Sequence, residues 1–184
     1  MVIRHMMTVK EFDTFVNLPE NADTLFEYIG GEIVEVPSNP YASKIGGILF
    51  GEFYIFLKGK DWGHLTGEAG GYMVSGERYA PDVAYISKKK QPELAREGYN
   101  PNPPDLAVEV DFPSTYKSQE ELRVKVVNYL AAGTMVWIVR PETKIVEVYV
   151  PGQPYREVGV DGMLDGGDVL PGFKLAVKDI FGDK

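Results

Sequence analysis

Two acidic side chains stand where the pattern of apolar residues predicts buried β-strand. Glu109 interrupts the apolar run Leu106-Ala-Val-Glu-Val110, and Asp82 precedes the run Val83-Ala-Tyr-Ile86. An unpaired carboxylate inside a covered strand is costly unless it is paired, protonated or bound to a metal. Taken alone, Glu109 fits a buried salt bridge equally well, and Asp82 fits a turn residue. On neighbouring strands, the two would offer the hard oxygen ligands that Mg²⁺ prefers.

Lys125 lies on the apolar stripe of a predicted helix over residues 118–132, between Leu122, Val126 and Tyr129. A lysine in such a stripe ordinarily packs its stem and extends its amine to solvent. This helix directly follows the Glu109 strand, however, and should pack back across it. There, Lys125 could orient a water molecule or stabilise charge on a phosphate group. An acid pair with a lysine on this frame suits metal-assisted phosphodiester hydrolysis.

The elements that would position these residues form an α/β pattern, with a mixed β-sheet flanked by helices. Further helices are predicted over residues 8–18, with a capping box of Thr8 and Glu11, and 41–58. Residues 88–104 read as a polar loop with one helical turn at 92–96, and residues 170–173 as a turn. Glu35 and Glu147 alternate with apolar residues and are expected to face solvent. Strands are predicted over residues 32–36, 62–66, 70–74, 81–87, 106–110, 134–139 and 145–150.

Composition narrows the classes of function. The 184 residues are 44% hydrophobic and 25% charged, which fits one globular domain over residues 1–184. The absence of cysteine excludes thiol nucleophiles and cysteine–zinc sites, and two histidines, His5 and His64, exclude a multi-histidine zinc site. The net charge of −8 counts against binding nucleic acid mainly by charge, although a local basic patch would suffice. With no export signal or apolar run long enough for a membrane, we expect a cytoplasmic protein without membrane contact.

Several short motifs, taken in order, resemble those of a known family. The Pro81-Asp82 pair followed by Glu109 is similar to the PD-(D/E)xK nuclease superfamily. More closely, the chain resembles the Uma-two (Uma2) family of restriction endonucleases from about residue 8 to residue 181. The matching segments are residues 26–35, 78–86, 104–110, 113–115, 125–129, 133–139 and 165–173.

This resemblance implies a restriction endonuclease-like core and a set of site residues. Asp82 and Glu109 would be metal ligands, with Glu27, on the segment before the first predicted strand, as a third acidic ligand. The superfamily lysine usually follows the glutamate by two residues, but that position here is Asp111. In this family the lysine matches Lys125 on the next helix. Tyr129, one turn later, either supports Lys125 or belongs to the core.

The activity that this resemblance implies is Mg²⁺-dependent hydrolysis of DNA phosphodiester bonds, with Mn²⁺ as a substitute. A homodimer is expected by analogy, because two sites suit the cutting of both strands. Two alternatives stay open: a catalytically inactive binding or assembly protein with a nuclease fold, and a hydrolase of small phosphate compounds. The net charge and Asp111 favour the first alternative. Candidate contacts to a DNA backbone, otherwise solvated side chains, are residues 88–90 with Lys58, Lys60 and Arg96.

Overall fold

A computed structural model describes residues 6–21, 23–36, 39–112 and 116–182, with residues 116 and 117 described as backbone. His5 and segment 113–115 lie outside the described residues. The helices are α1 (Val9–Val16), a 3₁₀ turn (Pro19–Asn21), α2 (Pro40–Leu57), α3 (Tyr116–Ala131) and α4 (Val177–Phe181). The strands are β1 (Phe26–Ile29), β2 (Glu32–Glu35), β3 (Gly63–Gly67), β4 (Tyr72–Val74), β5 (Glu77–Tyr79), β6 (Val83–Ser87), β7 (Leu106–Val110), β8 (Met135–Arg140), β9 (Ile145–Tyr149), β10 (Arg156–Val158), β11 (Met163–Gly166) and β12 (Leu170–Ala176).

A six-stranded mixed sheet forms the centre of the fold, in the order β10-β9-β8-β7-β6-β3. Strands β7 and β8 are parallel and are connected through α3, whereas their outer neighbours pair antiparallel. A second sheet has the order β2-β1-β5-β4, and β11 and β12 pair separately. This arrangement confirms the predicted α/β class with a helix-flanked mixed sheet. That the whole chain folds as one domain stays a prediction.

The central strands are apolar on both faces because each face carries its own hydrophobic layer. Val108 and Trp137 point into the layer formed with α2, β12 and α4. Ala107 and Ile138, their neighbours in sequence, point into the layer formed with α3. Successive side chains of a strand alternate between faces, so Glu109 points into the same layer as Ala107. The fold therefore directs Glu109 beneath α3.

Five local predictions were wrong, and the failures at the strands have physical reasons. Strand β1 was missed because all four of its residues are buried, which removes the alternation that marks a half-exposed strand. Strand β5 was missed because it has only three residues. Strand β12 includes Pro171 and Gly172, which are typical of turns, but it lies in a two-stranded pair with an irregular register. Residues 92–96 form bends instead of a helical turn, and α3 begins at Tyr116, two residues early.

A core contact that can be tested lies where α2 meets the central sheet. Phe53 is fully buried, and its ring centroid lies 4.8 Å from that of Phe173 and 5.5 Å from that of Trp137. Phe53→Ala should lower the free energy of unfolding by about 3–5 kcal/mol, because the cavity between these rings cannot fully collapse. Urea denaturation measures this loss, with Tyr54→Ala on the exposed side of α2 as the control. Equal losses in the two variants would contradict the assignment of Phe53 to the core.

Candidate active site

The predicted site residues converge from four elements at one end of the central sheet. In the antiparallel pair of β6 and β7, Val83 lies opposite Val108. Asp82 precedes Val83 and Glu109 follows Val108, so both lie at the same end of this pair. The amide of Val110 donates a hydrogen bond of 2.6 Å to Oδ2 of Asp82. The strand register therefore brings the two carboxylates together, although Asp82 and Glu109 lie far apart in the sequence.

Lys125 is buried between two carboxylates and does not extend to solvent. Its Nζ atom donates to Oε2 of Glu109 at 2.7 Å and to Oε1 of Glu27 at 2.8 Å. Only 6% of Lys125 is exposed, and Glu27 and Glu109 are also buried. Because a buried ammonium is costly without compensating charge, this pairing is what keeps the lysine inside. The interpretation of Lys125 as an ordinary surface-reaching lysine is therefore wrong.

Glu27 lies in β1, which is the first strand of the fold and not a segment before it. Its Oε1 atom accepts a hydrogen bond of 2.7 Å from the amide of Ala80 as well as the bond from Lys125. Ala80 connects β5 to the turn that contains Asp82. The second sheet thus contributes Glu27 to the site, while the central sheet contributes Glu109.

Aromatic and amide side chains surround the ion pairs. The hydroxyl of Tyr129 donates to Oε1 of Glu109 at 3.1 Å, so both oxygens of Glu109 accept hydrogen bonds. The Tyr129 ring packs edge-on against Tyr79, with ring centroids 5.3 Å apart. Asn128 Nδ2 donates to the Tyr79 hydroxyl at 2.7 Å, and Ser75 Oγ donates to the Asn128 carbonyl at 2.9 Å. Tyr129 thus both packs in the core and holds the site.

Tyr79, Asn128 and Ser75 were not predicted as members of this network. The apolar stripe of α3 identified Tyr129, but nothing in the pattern marked Asn128 beside it. Tyr79 lies in the strand that was missed. A buried tyrosine needs a partner for its hydroxyl, and that requirement is the signal that could have suggested a polar residue nearby.

Burial and neighbouring charges both shift the pKa values of the ionisable groups in the site. Burial, together with the nearby Glu27 and Asp82, raises the pKa of Glu109 to about 8, against the opposing effect of Lys125. Burial would lower the pKa of Lys125, but the Glu109 and Glu27 carboxylates outweigh it and raise that pKa. Burial also raises the pKa of Asp82. The acidic residues therefore repel one another, and Lys125 is the cation that holds them together.

The raised pKa of Glu109 predicts how stability varies with pH. The Glu109 carboxyl releases its proton at higher pH in the folded state than in the unfolded state, because burial and the nearby Glu27 and Asp82 oppose its ionisation. Over the pH range in which only the unfolded state has released this proton, the folded state binds more protons, so this contribution to stability decreases as the pH rises. Denaturation at pH 5, 6.5 and 8 should show the wild type losing stability relative to Glu109→Gln. A difference that stays constant over this range would contradict the raised pKa.

Asp82 lines an open cavity beside α2. The cavity has a volume of about 190 Å³ and includes Ser43, Gly46 and Glu68 in its lining. A carboxylate beside space for water suits Mg²⁺, which often takes one or two carboxylates and keeps several waters. Across the described ranges, no group of three or more histidine, aspartate or glutamate side chains is arranged to hold a metal ion. That Asp82, Glu109 and Glu27 hold a metal ion therefore stays a prediction.

Asp111, at the usual lysine position of the superfamily, belongs to a separate polar network. It forms an ion pair with Arg140 and accepts a hydrogen bond of 3.1 Å from Gln119 Nε2. Arg140 Nε also donates to Oε1 of Glu147 at 2.9 Å. Glu147 is thus largely covered by its partners, contrary to the prediction that it faces solvent, whereas Glu35 is exposed as expected.

The lysines predicted to contact phosphate lie away from the acidic residues of the candidate site. Lys88 and Lys90 follow the last residue of β6, whereas Asp82 precedes its first residue. At the rise of an extended strand, six residues separate Asp82 from Lys88 by ~20 Å. Lys88 pairs with Asp61, Lys90 pairs with Asp105 at 3.3 Å, and Lys60 lies over the Phe56 ring. These lysines therefore lie at the opposite end of the central sheet.

Comparison with known proteins identifies the family of the chain. The sequence matches, over residues 12–178, the Uma2 family described as "Putative restriction endonuclease". The chain belongs to the Uma2 family. The family membership that the motifs indicated is thus confirmed.

A solved structure shows the same fold as this Uma2 protein. It is a crystal structure from Anabaena variabilis ATCC 29413, described as "a putative nuclease belonging to DUF820". The two chains share 22% identity with a TM-score of 0.76, and the match covers 92% of this chain and 96% of the other. None of the curated proteins matches this sequence. Among the described residues, no helix has the length and apolar character needed to cross a membrane.

Proposed function

We propose that this Uma2 protein is a metal-dependent endonuclease that hydrolyses DNA phosphodiester bonds. Asp82 and Glu109 would hold Mg²⁺, with Mn²⁺ as a substitute, and Lys125 would act on the substrate phosphate or the attacking water. The observation that carries this proposal is the buried Lys125 ammonium, 2.7 Å from Oε2 of Glu109 and 2.8 Å from Oε1 of Glu27. Such a group is expensive to bury and is typical of a site that does chemistry.

Each residue has a distinct part in this proposal. Bound Mg²⁺ would lower the pKa of a water molecule and offset the charge of the phosphate. Asp82 faces the cavity, so its carboxylate can meet a substrate that enters there. Lys125 is held by buried partners, and this preorganised positive charge can stabilise developing negative charge at no reorganisation cost. Tyr129 limits the rotation of Glu109 through its hydrogen bond to Oε1.

The identity of the nucleic acid and the assembly state extend the same proposal. We propose duplex DNA as substrate and a homodimer as the active form, because two equivalent sites would cut both strands. We also propose that the protein works in the cytoplasm, which agrees with its lack of cysteine. Cleavage of matched DNA and RNA duplexes tests the substrate, and sedimentation at working concentration tests the dimer.

The proposed function is tested by metal binding and cleavage with one variant and one control. Thermal melts with and without millimolar Mg²⁺ or Mn²⁺ should show stabilisation of the wild type, since an ion that binds only the folded state shifts unfolding. Asp82→Asn should lose this shift and the cleavage of supercoiled plasmid. Asp61→Asn, which changes an exposed aspartate at the opposite end of the sheet, should retain both. A wild type that metal does not stabilise, and that does not cut, would refute the proposal.

The lining of the Asp82 cavity favours a second candidate, the hydrolysis of small phosphate compounds. No lysine or arginine contributes to the cavity lining that the structure describes. A DNA groove usually has basic residues that contact phosphates, whereas a small phosphate ester needs fewer contacts. Metal-dependent hydrolysis of bis(p-nitrophenyl) phosphate without cleavage of plasmid or oligonucleotides would favour this candidate. Metal binding with neither activity would favour a nuclease-fold binding protein.

A further inference from the structure

We infer that Glu27 is a positioning residue that holds Lys125, and not a ligand of the metal ion. This inference rests on the proposed function. It gives Glu27, the third acidic residue of the predicted site, a different role. The metal would then be held by Asp82 and Glu109 alone among the acidic residues of the site. Glu27 would act through the lysine, without touching substrate or metal.

One oxygen of the Glu27 carboxylate accepts hydrogen bonds from both the backbone and Lys125. Oε1 accepts from the Ala80 amide at 2.7 Å and from Lys125 Nζ at 2.8 Å. The first of these donors is a backbone amide, so the carboxylate has a fixed partner that does not depend on Lys125. Glu27 and Glu109 are both buried, whereas Asp82 lines the open cavity. A hydrated ion entering by that cavity meets Asp82 first, and the Ala80 amide holds Glu27 toward Lys125.

The backbone around Glu27 is braced in a way that suits positioning. Glu27 pairs with Val34 across β1 and β2, and the next residue, Tyr28, pairs with Arg78 of β5. Arg78 is anchored by a two-pronged contact to Asp13 of α1, at 2.9 and 3.1 Å. Two neighbouring strands and a helix therefore limit the movement of Glu27. A rigid support of this kind controls where the Lys125 ammonium lies.

The charge balance explains why Lys125 needs a second carboxylate. If Glu109 binds a divalent cation, its charge is shared with that cation and its attraction for the ammonium weakens. Glu27 is then the remaining carboxylate within hydrogen-bond distance of Nζ. Without it, the ammonium would be repelled by the cation and would leave the reacting centre. Glu27 thus allows a lysine and a metal ion to occupy one site together.

Two substitutions at one position separate positioning from metal binding. Glu27→Gln keeps an oxygen that can accept from Ala80 and Lys125, whereas Glu27→Ala removes it. We expect Glu27→Ala to lower kcat by roughly 10²-fold with KM unchanged, because small misplacements at a reacting centre have effects of this size. Glu27→Gln should recover part of this loss. The Kd for Mn²⁺, measured by calorimetry without substrate, should stay within about threefold of wild type in both variants. Glu77→Gln, which alters a carboxylate that accepts from the Gly30 amide, is the control.

The outcomes show whether this inference fails or the proposed function fails. A rise in the Mn²⁺ Kd of roughly tenfold or more in Glu27→Gln would make Glu27 a ligand and overturn the inference, because metal affinity follows the count of charged ligands. An unchanged kcat in Glu27→Ala would also overturn it. If the wild type neither binds Mn²⁺ nor cuts DNA, the proposed function fails by itself. In that case the ¹⁵N resonance of the Lys125 ammonium tests the positioning role. A shift of this resonance in Glu27→Gln but not in Glu77→Gln supports that role. An unchanged resonance in Glu27→Gln refutes it.

Discussion

Replacing Lys125 with methionine should reduce the rate of DNA cleavage by roughly 10²- to 10³-fold, which is the usual effect of removing one preorganised donor from a reacting centre. The same change should destabilise the fold by about 3–5 kcal/mol, because Glu27 and Glu109 would be left buried without their shared cation. Single-turnover cleavage and urea denaturation measure the two effects separately.

A second substitution separates the loss of chemistry from the loss of stability. Lys125→Met combined with Glu109→Gln removes one charge of each sign and should recover much of the lost stability, but none of the cleavage. Lys178→Met, at an exposed position of α4, should change neither property. If Lys125→Met alone keeps wild-type stability and cleavage, the ion-pair cluster has neither the structural nor the catalytic role assigned to it.

Replacing Glu109 with glutamine should abolish the stabilisation by Mg²⁺ or Mn²⁺ and reduce cleavage by at least about 10³-fold. Glutamine keeps the size of the side chain but removes the charge on which metal binding depends. Removal of a charged ligand also removes the preorganised electrostatic environment, which is why cleavage is expected to fall at least as far as in the lysine variant. Melting curves at increasing metal concentration and a plasmid cleavage assay measure these effects.

The matched control for this substitution is Glu35→Gln, which neutralises an exposed glutamate at the end of β2. It should keep the metal-dependent shift and the cleavage of the wild type. Retention of the metal shift in Glu109→Gln would mean that the ion binds elsewhere. In that case the acidic pair would be a structural ion-pair site, and the binding-protein alternative would gain support.

The sequence predicted the parts of the site that break a regular pattern. Glu109 is a carboxylate in an apolar strand, and Lys125 is a cation in an apolar helical stripe. Each is costly to bury alone, so each signals a partner from its local sequence. The strand–helix–strand connection also predicted that α3 would cover the Glu109 strand. The buried pair of Lys125 and Glu109 agrees with both arguments.

The role of Glu27 could not be read in the same way. Its strand is buried at every position and too short to show a period, so the pattern did not identify β1. Its partners, Ala80 and Lys125, lie 53 and 98 residues away in the chain. The sequence also left the role of Asp111 open, and the tertiary structure pairs it with Arg140 from β8.

The sequence by itself determined the α/β class, the family motifs and the residue types of the site. The class follows from local periodicity, Glu109 and Lys125 follow from the cost of placing charge in apolar segments, and Glu27 followed only from the family resemblance. Only the tertiary structure decided which charges meet: the register of β6 and β7 joins Asp82 to Glu109, and the second sheet brings Glu27 to Lys125. It also decided that the basic residues 88 and 90 lie at the far end of the central sheet. Contacts between distant segments depend on register and packing, which a linear pattern does not encode.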